Sequence, residues 1–447
     1  MKWIALLFFM ALAPTLSGWL RENHRLAPRV WAVIGFLPFV FGSWHLIIAP
    51  VSWSEWPGYA KGMEVSLLDA IAAACFFSLL RVPVSKPIIV SFVVYILAIL
   101  LSALFSGVPE ATLFYVWQVA RVMLVFAAVA KVCADERGPR AIISGMILGL
   151  VFQAFFVIEQ RMTGATQAGG TLGHQNFLGM VTHFVAFPSF ALLLVDRKYW
   201  APLFGVMSGV TAVILGASRA SLGLAGLGYG LLMVLSVIRK PTGRNLKVFS
   251  FGLIGFLIAT PLALLSLQQR FEATPLDDYD ERAAFESAAK MAIADHPMGV
   301  GANQYVIVAN AEGYSDRAGV VWNMGSRAAN VHNTYLLVQA ETGFLGLVAF
   351  IALLMAPTMI AFRVAWRNRK DPRGDLMLGL GVSLTIVSIH CFYEWIFMDY
   401  LVQVMFAINA GIIAGLAQQI SRTKSKRQKP GKSNENLGEM VSASGTA

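Results

Sequence analysis

This sequence predicts an all-α fold, a polytopic transmembrane helical bundle of about 12–13 spans with one long outer loop containing short helices, and three observations carry that expectation. Apolar runs of about 20 residues, enough to cross a bilayer, recur along nearly all of the 447 residues. Hydrophobic residues make up 57% of the chain and charged residues 13%, with a mean hydropathy of +0.64, which excludes a water-soluble globule. The Lys and Arg residues gather in every second connection, so the net charge of +10 marks membrane orientation and no nucleic acid is implied. Cys75, Cys133 and Cys391 lie far apart and form neither a disulfide framework nor a metal-ligand spacing.

Taken in order, residues 3–20 give the first span, read as a retained anchor because a second span follows at once. Arg21, Arg25 and Arg29 mark the next connection as cytoplasmic and place the N-terminus outside. Further spans are expected at 30–49, 65–80, 87–106, 114–130, 141–158, 177–195, 201–215, 222–238, 248–267, 334–362, 376–396 and 400–419. With every second connection cytoplasmic, 25 of the 35 Lys and Arg fall on that side, among them Arg197 and Lys198. The organisation is then an N-terminal bundle at 1–267, a loop at 268–333, C-terminal helices at 334–420 and a disordered basic tail at 421–447, whose charges read first as a topology signal and second as a contact with membrane lipids.

The loop is the one long polar interruption, with nine acids against five bases over 268–330, and its length lets it cross to the outer side regardless of charge. It opens at Arg270, passes Asp277, Asp278, Asp280 and Glu281, and predicts a helix over 282–295 that Pro297 ends. Turns follow at Gly299 and Gly301, and the chain re-enters the bilayer behind Val331 and His332.

Polar residues at span ends or inside spans are the informative ones, because a charge at the bilayer centre costs about 2.5–3.5 kcal/mol on insertion scales. Arg219 stands among small residues at an outer boundary, which fits a cavity between close helices or an arginine snorkelling to headgroups. Arg282 begins the loop helix beside acids that suit its positive end, as a solvated ion pair or as a site arginine. His332 has the one side chain whose ordinary pKa lets it accept a proton near neutral pH, though an interfacial histidine also serves packing. Gly173-His174-Gln175-Asn176 and Glu341-Thr342-Gly343-Phe344-Leu345-Gly346 frame it. Arg121 and Asp69 read as a buried structural pair or as part of a polar cavity, and Glu394 and Asp399 as solvated groups bracketing an outer turn. No acid or histidine cluster has metal-ligand spacing at the outer face, so neither a metal nor another cofactor is expected.

Ser218-Arg219-Ala220 after a span, Asp280-Glu281-Arg282 at the loop helix, the turn His296-Pro297-Met298-Gly299-Val300-Gly301, and His332-Asn333-Thr334-Tyr335-Leu336 running into Glu341 to Gly346 together resemble the O-antigen ligase and O-antigen polymerase superfamily. The motif-bearing part covers residues 173–350, and the N-terminal spans match only in being hydrophobic. The resemblance implies a glycosyltransferase of the bacterial inner membrane that takes a glycan from an undecaprenyl-pyrophosphate carrier and passes it to a lipid or glycan acceptor at the periplasmic face, without nucleotide sugar or metal. It implies catalytic roles for His332, Arg282 and Arg219, and the expected substrate-binding set adds His174, Asn333, Tyr335 and Arg121 to the two arginines. Arginine forks hold diphosphate oxygens and keep their charge, and a histidine takes the acceptor proton, so one displacement inverts the anomeric configuration. Other polysaccharide assembly proteins are expected partners. The family has about twelve spans against the thirteen counted here, and the difference falls on the first. Ligase and polymerase stay open, as do two rivals: a flippase of lipid-linked glycans, which needs charges along a path through the bilayer, and a non-catalytic membrane partner, which tolerates loss of all three residues.

Overall fold

The computed structural model describes residues 2–195, 200–273 and 278–428. Without water in the bilayer, each apolar run must satisfy its own backbone, and these runs do so as helices. Before the loop come α1 (Lys2–Glu22), α2 (Ala27–Phe36, extended by a tight turn to Val40), β1 (Ile47–Ser52), β2 (Gly62–Ser66), α3 (Leu67–Ser78), α4 (Lys86–Ser102), α5 (Pro109–Val132), α6 (Gly138–Met162), α7 (Gln175–Val195), α8 (Ala201–Gly216), α9 (Arg219–Arg239) and α10 (Gly243–Ala273). The loop holds α11 (Asp278–Asp295), α12 (Tyr305–Ala311), α13 (Tyr314–Arg317) and α14 (Met324–Arg327), and α15 (Thr334–Arg367), α16 (Arg373–His390) and α17 (Tyr400–Gln428) follow. Among the described residues eight helices are long and apolar enough to cross a membrane, and α2, α3 and α8 are shorter apolar helices. Proline stands in the first two positions of α2, α4, α5, α6 and α8, where a missing N–H costs nothing.

Three expectations are corrected. The span expected at 30–49 stops at Val40, and its second half is an edge of an antiparallel hairpin in which Ile47 pairs with Ser66 and Ser52 with Gly62. Pro50 cannot continue a helix, while Ile47, Ile48 and Val51 suit a strand. The span expected at 376–396 ends at His390, and 391–399 form a turn. The basic tail expected to be disordered from 421 stays helical to Gln428, with neither glycine nor proline before Pro430 to stop it. Residues 429–447, Asp277, Arg197 and Lys198 lie outside the described residues.

The loop is clamped onto the bundle at a break in α15. Gly343 takes φ 65° and ψ −171°, a region open to glycine alone, and interrupts the helix there. The freed carbonyls of Ala340 and Glu341 accept from Val300 N (3.0 Å) and Gly301 N (2.9 Å) in the glycine turn, where Gly299 and Gly301 also have positive φ. The buried Glu341 carboxylate accepts from the Tyr59 hydroxyl (2.5 Å), Gln304 N (2.9 Å) and Tyr305 N (3.1 Å), so one side chain ties the hairpin loop, the long polar loop and α15.

A Cβ at Gly343 would lie 2.7 Å from Met298 C and from Pro297 O, besides forcing a disfavoured backbone, whereas one at Gly223 in α9 meets nothing within 4 Å. Gly343→Ala should therefore destabilise the detergent-solubilised protein by at least about 1–3 kcal/mol, and Gly223→Ala should leave its thermal midpoint unchanged or raise it. Equal midpoints for the two variants would show that the break in α15 is not strained.

Candidate active site

The turn after α16 delivers Glu394 into the bundle. It is 2% exposed, not solvated as the sequence alone implies, and its carboxylate gathers three partners from three separate segments. Arg282 Nη2 on α11 donates to Oε1 (3.2 Å), Asn176 Nδ2 in the first turn of α7 donates to the same oxygen, and His332 Nδ1 faces Oε2 at 3.1 Å. Thr334 fixes the turn from the start of α15, with its hydroxyl donating to Glu394 O (2.6 Å) and its N–H to Cys391 O (2.8 Å). Burial pushes the Glu394 carboxyl up, and the hydrogen bond and charge of His332 with the charges of Arg282 and His390 outweigh it, leaving the group below the usual glutamate value.

His332 is held from both sides. Asn333 caps α15 by accepting from Tyr335 N (3.0 Å) and Leu336 N (3.2 Å). The Tyr335 hydroxyl donates to Ser388 O (2.7 Å), with its ring 4.4 Å from that of Phe392. The His332 ring lies 5.9 Å from Phe285 of α11. With Nδ1 donating to the carboxylate, the tautomer assigned by that hydrogen bond leaves the Nε2 lone pair available.

The structure thus joins Arg282 and His332 through an acid. Arg219 is half-buried at the start of α9, capped by Ser218, whose hydroxyl oxygen accepts from Ser221 N (3.4 Å). Ser221 fills the space beside Gly179 of α7 so that no Cβ fits there, which sets the Arg219 turn against the end of α7 that supplies Asn176. His174, exposed, precedes α7 and accepts from Asn176 N at Nδ1 (3.2 Å). Arg121 belongs to a different cluster: buried in α5, its Nε donates to Asp69 (2.8 Å), its Nη1 lies 3.6 Å from Glu64, and its guanidinium covers the Tyr400 ring at 3.9 Å. Asp399 is half-buried and accepts from Leu401 N (2.8 Å) at the start of α17. Glu394 and the side chain of Asn176 are the residues that sequence reasoning missed. The signal for Glu394 was an acid inside an unbroken apolar and aromatic run, Phe392-Tyr393-Glu394-Trp395-Ile396.

An ion-paired carboxylate that orients an imidazole, with a guanidinium alongside, can hold an anion and take a proton. Among the described residues no three His, Cys, Asp or Glu side chains are grouped as a metal site. Residues 202–351 match the family model described as O-antigen ligase. That segment contains Arg219, Arg282 and His332, and ends before Glu394. A separate stretch of similarity, 36% identical over 64 residues, links 13% of this chain with 86% of the mitochondrial ATP synthase subunit 9 of Rhizopus oryzae. A likeness so short is what apolar helices share through the composition that a bilayer imposes.

Because Glu394 has a lowered value in the folded protein, its ionised form contributes stability that is complete above the ordinary glutamate range and is lost as pH falls through the folded value. Glu394→Gln should destabilise the protein at neutral pH by about 1–3 kcal/mol, since Arg282, Asn176 and His332 lose the charged acceptor they share, and the gap from wild type should narrow on acidification. Thermal midpoints of both proteins across the acid range check this, and a pH-independent gap would sink it.

Proposed function

Because residues 202–351 match the O-antigen ligase family model and hold Arg219, Arg282 and His332, we propose that the protein is a membrane glycosyltransferase moving a glycan from an undecaprenyl-pyrophosphate carrier to an acceptor hydroxyl at the periplasmic face of the inner membrane. The observation that carries this reading is the Arg282–Glu394–His332 cluster. His332 Nε2 takes the proton of the acceptor hydroxyl as its oxygen attacks the anomeric carbon. The bond from that carbon to the phosphate oxygen breaks, its electron pair goes to the departing diphosphate, and the configuration inverts. Arg282, together with Arg219, stabilises the growing charge without a metal ion. Glu394 holds the imidazole in the tautomer that can accept and stabilises the imidazolium that forms, a part played by the acid in other hydrolases and transferases.

A flippase of the same donor would need unspent charge along a path through the helices. Arg121 is matched by Asp69 and Arg239 by Asp375 inside the bundle, which favours bond-making at one end over transport.

Given synthetic undecaprenyl-pyrophosphate oligosaccharide and candidate acceptors, the purified protein should yield a glycosidic product and free lipid pyrophosphate. His332→Ala should slow single-turnover transfer by about 10²–10⁴-fold with donor affinity close to wild type, whereas Arg219→Lys should weaken donor binding through loss of the planar fork. Wild-type turnover in His332→Ala would remove the histidine from the mechanism, and movement of donor without a new bond would favour the flippase.

Orientation has its own test. In a background lacking the three buried native cysteines, Met324→Cys in the loop should react with an impermeant thiol reagent in intact spheroplasts and Ser425→Cys at the end of α17 only after lysis. The reverse pattern would place the loop in the cytoplasm.

A further inference from the structure

At the ends of α15, α16 and α17 remote from Glu394 lies a cavity of about 990 Å³ that the proposed transfer does not use. Its floor is apolar, with Ile143, Leu376, Leu416 and Ile420 all buried. Its mouth is basic: Arg140 comes from α6, Arg367, Arg369 and Lys370 from the end of α15 and the turn after it, and Lys424 from α17. Two acids share that mouth, Glu136 and Asp371, and Asp371 is occupied by a two-pronged contact from Arg373 at 3.0 and 2.7 Å. Positive charge is left in excess.

The turn that presents these charges is built, not loose. Arg239, fully buried at the end of α9, donates from Nε to Ala365 O (2.9 Å) and from Nη2 to Asn368 O (3.1 Å) and Asp371 O (3.3 Å), while pairing with Asp375. Arg373 Nη2 reaches Thr423 Oγ1 at 3.2 Å and ties the turn to α17. Trp366 lines the cavity with Arg369 stacked 5.8 Å from its ring, an amphipathic side chain of the kind enriched at headgroup depth. Orientation by positive charge needs basic residues at helix ends but neither an apolar floor nor a buried guanidinium shaping the turn. The volume is at the upper end of the range for drug-sized ligands and far exceeds what a phosphate ion fills.

We propose that this cavity binds an anionic, phosphate-bearing lipid of the adjacent leaflet, its phosphate among Arg367, Arg369, Lys370, Arg140 and Lys424 and its chain along the floor. Each basic residue beside an anionic headgroup is worth about fivefold in affinity. The full-length protein in neutral detergent would be titrated with phosphatidylglycerol and phosphatidylcholine of matched chains, bound lipid being counted by native mass spectrometry. Phosphatidylglycerol should bind at least about tenfold more tightly, the joint change Arg367→Gln, Arg369→Gln and Lys370→Gln should cut its affinity about 10²-fold, and Glu136→Gln should raise it about fivefold. Glycerol phosphate in large excess should fail to displace the lipid. Equal binding of the two lipids, or affinity unmoved in the basic variant, would overturn the proposal. Displacement by glycerol phosphate would replace the lipid with a small phosphate ester. Should the triple variant misfold, Glu136→Gln decides alone, and unchanged affinity there counts against the site.

Discussion

The loop-bearing half of this molecule depends on one buried carboxylate. Glu394 is sealed from solvent, where an uncompensated charge would be prohibitive, so its partners are obligatory. They come from α7, from α11 and from the residue before the cap of α15, which lie 218, 112 and 62 residues from Glu394 in sequence. Satisfying one acid therefore sets the register of the loop against the first and last parts of the bundle. The same turn is bonded to Thr334 through both side chain and backbone, which leaves the acid little freedom to retreat.

Glu341 does comparable work one helix break away. Its partners are a hairpin tyrosine and the backbone amides of Gln304 and Tyr305 at the start of α12, and they tie the loop to the bundle. Between the two acids the start of α15 is fixed at both ends of its first turns, by the Asn333 cap and by the break at Gly343. His332 stands just before that cap, so a long polar loop, ordinarily the mobile part of such a chain, presents its histidine from an anchored position.

Much of the helical framework could be read directly, because apolar runs in a bilayer have one backbone solution. The loop helix was legible from Asp280 to Pro297, as was the turn at Gly299 and Gly301, where residue type dictates conformation. The hairpin was not, since Ile47, Ile48 and Val51 are as compatible with a span as with a strand until pairing with residues 62–66 decides. Glu394 was misread for a related reason. An acid at a span end is ordinarily wet, and only the arrival of Arg282, His332 and Asn176 from elsewhere makes burial tolerable. Arg121 was a candidate because it is a charge within a span, and its neighbours Asp69, Glu64 and Tyr400 became visible only with the packing of α3, β2 and α17 around it.

The exposures within the cluster differ in a way that bears on the proposed chemistry. Glu394 has a side chain 3% exposed, His332 27% and Arg282 44%, so the acid is dry while the groups it orients open toward the surface. A general base must reach an acceptor that arrives from outside, whereas its orienting acid gains from a low dielectric, which strengthens the hydrogen bond to Nδ1 and the stabilisation of an imidazolium. Reversing that order would shield the base from its substrate and let water weaken the acid. The observed gradient, from a dry carboxylate to a partly exposed imidazole and guanidinium, is the one under which a histidine can collect a proton and an arginine can meet a diphosphate.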